Sequence, residues 1–340
     1  MRRHLMDELS TLSRNAFEIK NILPNADFSK LDHVHNLILS RLTDVDPSLS
    51  GAASYHFKTP GKMLRAKMAM GSASSTNISF TAALHWATSI EILHNASLIH
   101  DDICDGDKQR RGQPSVWMKF GRNTALTLGD WLIALSFELA AEAAEISNTP
   151  RLVSILAKHM ATTTAGEAME FQWNGTQTWD AYLRIAADKT APLLTAPIHG
   201  VTVMAGDNNS ETAISNYFRD LGKAYQISND ILNFKGIDGA KLIAGDLARR
   251  APNAVTVCYV ETLNAYDRIE FSRWYNSVDK DELVVWRNRI INSGAIGIAG
   301  ARMLNVLDNA EKNVSSLPLN ASEVIIPVHT IIKRACALSV

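Results

Sequence analysis

The chain has 340 residues, 46% hydrophobic and 20% charged, with a formal net charge of −1. That length can bury a sizeable core, and so even a charge balance gives no general pull toward nucleic acid or an anionic membrane. The three cysteines, Cys104, Cys258 and Cys336, lack metal-ligand spacing, which argues against a disulfide framework and fits a reducing, cytoplasmic setting. The opening residues Met1 to Glu8 contain no apolar signal-peptide core, and no uninterrupted apolar run approaches the ~18 residues of a transmembrane segment.

Taken in order, residues 1–50 carry two short amphipathic patterns broken near Pro24 and Pro47, which read as peripheral helices. Thr59 to Ala66 is a turn leading into a helix. Lys62 and Arg65 share a face near its start, where free N–H groups also favour an anion; alone, such a pair is a common surface feature. A helix over 79–104 follows. Its apolar run ends in Asp101, Asp102 and Asp105, with Arg110 and Arg111 beyond. Positions i and i+4 share a helical face, so Asp101 and Asp105 aim two carboxylates at one point, with Asp102 on the flank. His94 lies on the same stripe two turns earlier, a position that also suits a core histidine. Acids so close repel one another unless a cation sits between them. Mg²⁺ suits the place, because it takes one or two carboxylates and leaves its other positions to water and phosphate oxygens. The arginines supply forked donors for phosphate.

A helix over 123–145 is apolar nearly all round, as in a bundle core or a subunit interface. The helix over 151–173 contains Glu167 and Glu170, and Pro192 predicts a kink just after Lys189 and Thr190. Residues 222–234 hold Gln226, Asn229, Asp230 and Asn233, and amphipathic helices run on from 255, with Trp274 and Trp286 as core or interface residues. Strand-like alternation is hard to find. The chain reads as all-α and as one domain over 1–340: peripheral helices over 1–50, a motif-bearing core over 55–260 and C-terminal helices over 261–340.

His100-Asp101-Asp102-x-x-Asp105, followed by Arg110-Arg111-Gly112-x-Pro114, resembles the first aspartate-rich motif of the trans-isoprenyl diphosphate synthases. The resemblance covers about residues 55–260. It implies a helical bundle around a deep apolar cavity, usually a homodimer, with two acidic motifs facing each other at the cavity mouth. Gly61, Lys62 and Arg65 match a Gly-Gly-Lys-x-x-Arg-Pro segment. By resemblance Lys62, Arg65, His94 and Arg111 bind isopentenyl diphosphate, while Arg110, Lys189, Thr190, Gln226 and Lys241 serve the allylic diphosphate. Asp101, Asp102, Asp105, Lys189 and Asp230 are the catalytic set implied, and Ala96 and Ser97 the residues that limit product length.

The chain also departs from the family pattern. Glu167 and Glu170 stand where Gln-x-x-Asp is usual. The second motif, Phe-Gln-x-x-Asp-Asp-x-x-Asp, keeps Gln226 and Asp230 but has Asn229 and Asn233 for two aspartates. With Asp101 and Asp105, the residues Asn229, Asp230 and Asn233 complete the Mg²⁺ ligands that the resemblance implies, and asparagine brings no charge. A Gly-Lys-x-Thr-Leu-Pro segment is replaced by Arg249-Arg250-Ala251-Pro252-Asn253, so Arg249 or Arg250 stands in for a lysine. The function implied is condensation of an allylic diphosphate with isopentenyl diphosphate, giving a product of twenty carbons or more. A terpene cyclase on the same fold, and a non-catalytic subunit of a synthase, remain open alternatives.

Overall fold

A computed structural model describes residues 29–59, 61–236, 243–277, 282–317 and 319–339. Among these the chain is all-α apart from one short hairpin, and it divides into two compact units. The first comprises the chain up to Pro150 with Glu323–Ile331; the second comprises Arg151–Ser322 and Ile332–Val340.

In the first unit, α1 (Ser29–Arg41), α2 (Pro47–Phe57) and α3 (Leu64–Ser74) precede the long α4 (Phe80–Cys104). Pro47 opens α2 because its missing N–H costs nothing in the first turn, and the Asp46 carboxylate accepts from Ser48 N–H. The hairpin β1 (Gln109–Arg110) and β2 (Gln113–Pro114) turns through Arg111 and Gly112. Their φ values, 53° and 77°, are the positive pair that a tight two-residue hairpin turn requires. Then come α5 (Val116–Phe120) and α6 (Arg122–Ile146). Helix α6 is long and apolar enough to cross a bilayer; here α4 is its main packing partner and its Leu128, Leu132 and Leu139 are fully buried. Gly129 permits the close approach, since a Cβ there would lie 2.2 Å from the His100 ring.

In the second unit, α7 (Arg151–Phe171), α8 (Trp179–Met204) and α9 (Glu211–Lys235) form the core, with α8 packed against both of its neighbours. Helix α8 runs unbroken through Pro192 and Pro197, both buried. The short α10 (Gly245–Arg249), then α11 (Ala254–Thr262), α12 (Ala265–Tyr275), α13 (Leu283–Asn292) and α14 (Ala295–Asn313) complete it, α14 lying along α9. Trp274 and Trp286 are core residues, stacked 5.5 Å apart beside Phe271. The last helix, α15 (Leu319–Ser339), is shared between the two units.

Candidate active site

The functional residues expected from sequence fall into two groups, one in each unit. In the first unit α4 carries most of them. The helix closes with Asp105 N–H donating to the Asp101 carbonyl at 2.8 Å, and Gly106, at φ 68°, turns the chain away. Asp101 and Asp105 are therefore one turn apart, and both are part-exposed. Asp102 is only 2% exposed and has a different task. Arg110 Nε donates to both of its carboxylate oxygens at 2.8 Å, and Nη2 lies 2.6 Å from Oδ1. Burial pushes the Asp102 carboxyl up against the pull of Arg110. On the arginine, burial opposes the charge but the Asp102 contact outweighs it. The pair pins the hairpin to the end of α4.

Pinning the hairpin sets Arg111 in place. Its Nη1 donates to the Thr59 carbonyl at 2.6 Å, and its guanidinium lies on Gly61, where a Cβ would come within 2.6 Å of Nη2. A side chain at 61 would therefore displace the Arg111 guanidinium. Met63, at φ 48°, starts α3; Lys62 is exposed and Arg65 part-exposed in the opening turns. His94 is kept neutral by the protein packed around it and by the positive charges of Arg65, Arg111 and Arg110. The fold therefore brings Arg65, His94, Arg110 and Arg111 within electrostatic reach of one another, with Lys62 at the margin. Tyr55, His56, Thr59, Asp102, Arg110 and Arg111 line an adjoining cavity. Ala96 is fully buried, and the part-exposed Ser97 donates its hydroxyl to the His94 carbonyl at 2.8 Å.

Sequence reasoning missed Glu91. It is 3% exposed on α4 and accepts from the Ala66 N–H of the α3 N-terminus at 3.2 Å. Burial raises its carboxyl, while Arg65, the Ala66 N–H, Arg111 and Lys67 draw it down. A buried acid one turn before His94 was the available signal, since a carboxylate in an apolar run needs a partner.

In the second unit Lys189 and Thr190 are part-exposed on α8. Lys189 Nζ lies 2.8 Å from both Glu167 Oε2 and Glu170 Oε2. Asp230, on α9, is 1% exposed and heavily engaged. Its Oδ2 accepts from Tyr182 O–H at 2.6 Å and from Ala254 N–H at 2.7 Å, and its Oδ1 from Gln226 Nε2 at 2.9 Å. Burial and the nearby Asp246 push the Asp230 carboxyl well up against those three donors. Asn233 is buried, and its Oδ1 accepts from Asp246 N–H at 3.3 Å; Asn229 stays part-exposed. Arg249 pairs with Asp246 at 2.8 Å, whereas Arg250 stacks 3.7 Å above the Trp274 ring. Lys241 lies outside the described residues. Tyr182 and Asn253, which ties Asp246 to the Asp230 carbonyl, carried no local signal in the sequence.

The donor chemistry tests the two groups for a metal. Asp101 and Asp105 fit a hard divalent cation: two part-exposed oxygen donors, one turn apart. Among the described residues no three acid, histidine or cysteine side chains converge as a complete site, so remaining ligands must come from substrate and water. The second group fits poorly. Asp230 is committed to three hydrogen bonds, and Asn229 offers only a neutral carbonyl.

The profile of the polyprenyl synthetase family matches residues 46–288. A geranylgeranyl pyrophosphate synthase of Geoglobus acetivorans is 30% identical over 288 residues, which is 83% of this chain and 89% of that one. A short chain isoprenyl diphosphate synthase of Methanocaldococcus jannaschii is 29% identical over 66% of this chain and 70% of its own length. The crystal structure of a decaprenyl diphosphate synthase from Rhodobacter capsulatus superposes with a TM-score of 0.80 and 23% identity, covering 95% of this chain and 99% of that one.

Proposed function

The chain belongs to the polyprenyl synthetase family and is a prenyltransferase, and from that premise we propose that it elongates an allylic diphosphate with isopentenyl diphosphate in a Mg²⁺-dependent reaction. One observation carries the reading. Arg65, Arg111 and Arg110 lie within electrostatic reach of His94, and Arg110 is in turn within reach of Asp101, a combination that serves a second diphosphate substrate and has no use in a cyclase.

The roles follow from the side chains. Lys62, Arg65 and Arg111 bind the isopentenyl diphosphate anion, with Arg111 held in advance by Thr59 and Gly61. His94, held neutral, donates a hydrogen bond from its ring N–H to a phosphate oxygen. Asp101 and Asp105 would hold the cation, which when bound neutralises the charge that builds on the departing diphosphate. Lys189 and Thr190, in the second unit, supply a positive charge and a hydroxyl suited to an allylic diphosphate. The allylic carbon–oxygen bond breaks, the isopentenyl double bond attacks, and the proton lost goes to the released diphosphate. Arg110 acts through Asp102 and the hairpin. Asn229, Asp230 and Asn233 take a lesser part in metal binding than a full acidic motif would.

The small, buried Ala96 and the neighbouring Ser97 support a product of twenty carbons or more, because no bulky side chain on α4 blocks growth there. The named relatives span short-chain, geranylgeranyl and decaprenyl synthases, which leaves length to be read from residues such as these. Cys104, Cys258 and Cys336 form no disulfide among the described residues, which suits a cytoplasmic enzyme, and the exposed Leu126 and Ile146 of α6 suit contact with a second copy.

Incubation of the purified chain with Mg²⁺ and geranyl or farnesyl diphosphate, with and without isopentenyl diphosphate, tests the function. Elongated diphosphates formed only with isopentenyl diphosphate are expected. Hydrocarbons formed without it would mark a cyclase, and no product from either mixture a non-catalytic subunit.

A further inference from the structure

Lys189 is held more tightly than a lysine that simply awaits an anion. Glu167 and Glu170 both lie within 2.8 Å of its ammonium, with side-chain exposures of 18% and 16% against 23% for the lysine. The arrangement is built into the helix packing. Gly166 lies directly on the backbone of α8, where a Cβ would come within 2.5 Å of Lys189 N and 2.7 Å of the Asp188 carbonyl carbon. That contact fixes α7 against α8 at the lysine. Glu167 follows the glycine at once, and Glu170 lies one turn on. The neighbouring Asp188 is bound to Arg219 at 2.8 Å, so it does not compete for the ammonium.

Two carboxylates on one ammonium leave the cluster with a net negative charge. A diphosphate approaching Lys189 must either take it from a carboxylate or sit close to two like charges, and both weaken binding. We propose that Glu167 is a positioning residue that, with Glu170, clamps the Lys189 ammonium and so lowers the affinity of this group for an allylic diphosphate. Glutamine at 167 could still accept a hydrogen bond from Lys189 but would remove one competing charge. The inference rests on the reading of Lys189 as a diphosphate-binding residue.

The test uses the full chain with Glu167→Gln, Lys189→Gln and the double variant. The probe is geranyl thiolodiphosphate, an allylic analogue that does not ionise, titrated by calorimetry at fixed Mg²⁺ and ionic strength; isopentenyl diphosphate is the control. Glu167→Gln is expected to tighten binding of the allylic analogue about fivefold, to leave isopentenyl diphosphate unchanged, and to have no effect once Lys189 is glutamine. Unchanged or weaker binding in Glu167→Gln overturns the proposal, as does an equal gain in the Lys189→Gln background. Acetylation of Lys189 by acetic anhydride without substrate, followed by mass spectrometry, examines the clamp alone and should be faster in Glu167→Gln. Faster acetylation combined with a Lys189→Gln variant that binds the analogue normally would refute the functional reading of Lys189, and the proposal with it, while leaving the clamp. Unchanged acetylation would refute the clamp itself.

Discussion

Asp101 near the end of α4 and Asp230 on α9 are both motif aspartates on long helices, and they meet opposite surroundings. Asp101 and its partner Asp105 are part-exposed at the last turn of their helix. Asp230 is sealed among α8, α9 and α11 by Tyr182, Gln226 and Ala254. An acid that can exchange a water for a cation is equipped for chemistry, whereas one satisfied by three fixed donors holds helices together. On the proposed function, Asp101 then serves the chemistry in one unit, while Asp230 serves mainly the packing of the other.

The sharpest way to break this contrast is to exchange the two losses. Asp101→Asn should lower kcat by about 100-fold or more at saturating substrate, because it takes a charged ligand from the cation that would offset the negative charge developing on the departing diphosphate, and it should leave the denaturation midpoint unchanged. Asp230→Ala should do the reverse. Stranding three buried donors should cost about 3 kcal/mol, seen as a lower midpoint in urea, with the loss of activity tracking the fraction unfolded. If Asp230→Ala is fully folded yet inactive, the division of labour is wrong.

Acid titration compares the units through their histidines. His56 in the first unit, bonded to Asn95 Oδ1 at 3.0 Å, is lowered to about 4 by burial. His159 in the second, 3.0 Å from His199, is lowered to about 3 by burial and by that neighbour. An unfolded histidine titrates near pH 6.5. The unfolded chain thus accepts protons that the folded chain resists, so this share of stability is complete above about pH 6.5 and lost as the pH falls below it. Urea midpoints measured at pH 7.5 and 5.5 should fall, and His56→Gln or His159→Gln should each flatten the difference.

A smaller effect concerns the asparagines. Asn229→Asp adds a charge at a part-exposed position and should raise apparent Mg²⁺ affinity by a few-fold, on the order of one exposed charge. Asn233→Asp instead buries an acid near Asp230 and Asp246 and should lower stability without that gain. A Mg²⁺ titration unmoved by Asn229→Asp would remove Asn229 from the site. The smallest change in turnover is expected from Ala96→Tyr, which should shorten the products while keeping most of the rate. A chain-length distribution that does not shift would mean that Ala96 does not limit growth.

Much of the local architecture was legible beforehand. The helices expected over 79–104 and 123–145 are Phe80–Cys104 and Arg122–Ile146, since long apolar runs without proline leave little else to form. The shared face of Asp101 and Asp105 follows from helical rise alone, and the spacing of the first motif was enough to point to the family.

What the sequence determined by itself is what depends on neighbours within a turn or two: helix extents, the acid pair, the Lys62–Arg65 face and the substitutions at 229 and 233. Only the tertiary structure decided which charges are committed. Arg110 proves to be the partner of Asp102, Lys189 is clamped by residues 19 and 22 positions earlier, and Asp230 is bound by Tyr182, 48 positions away. Helix geometry is repeated at every residue and can be read from spacing. An ion pair or buried hydrogen bond between helices exists only once packing has brought two backbones together, as Gly166 does for α7 and α8.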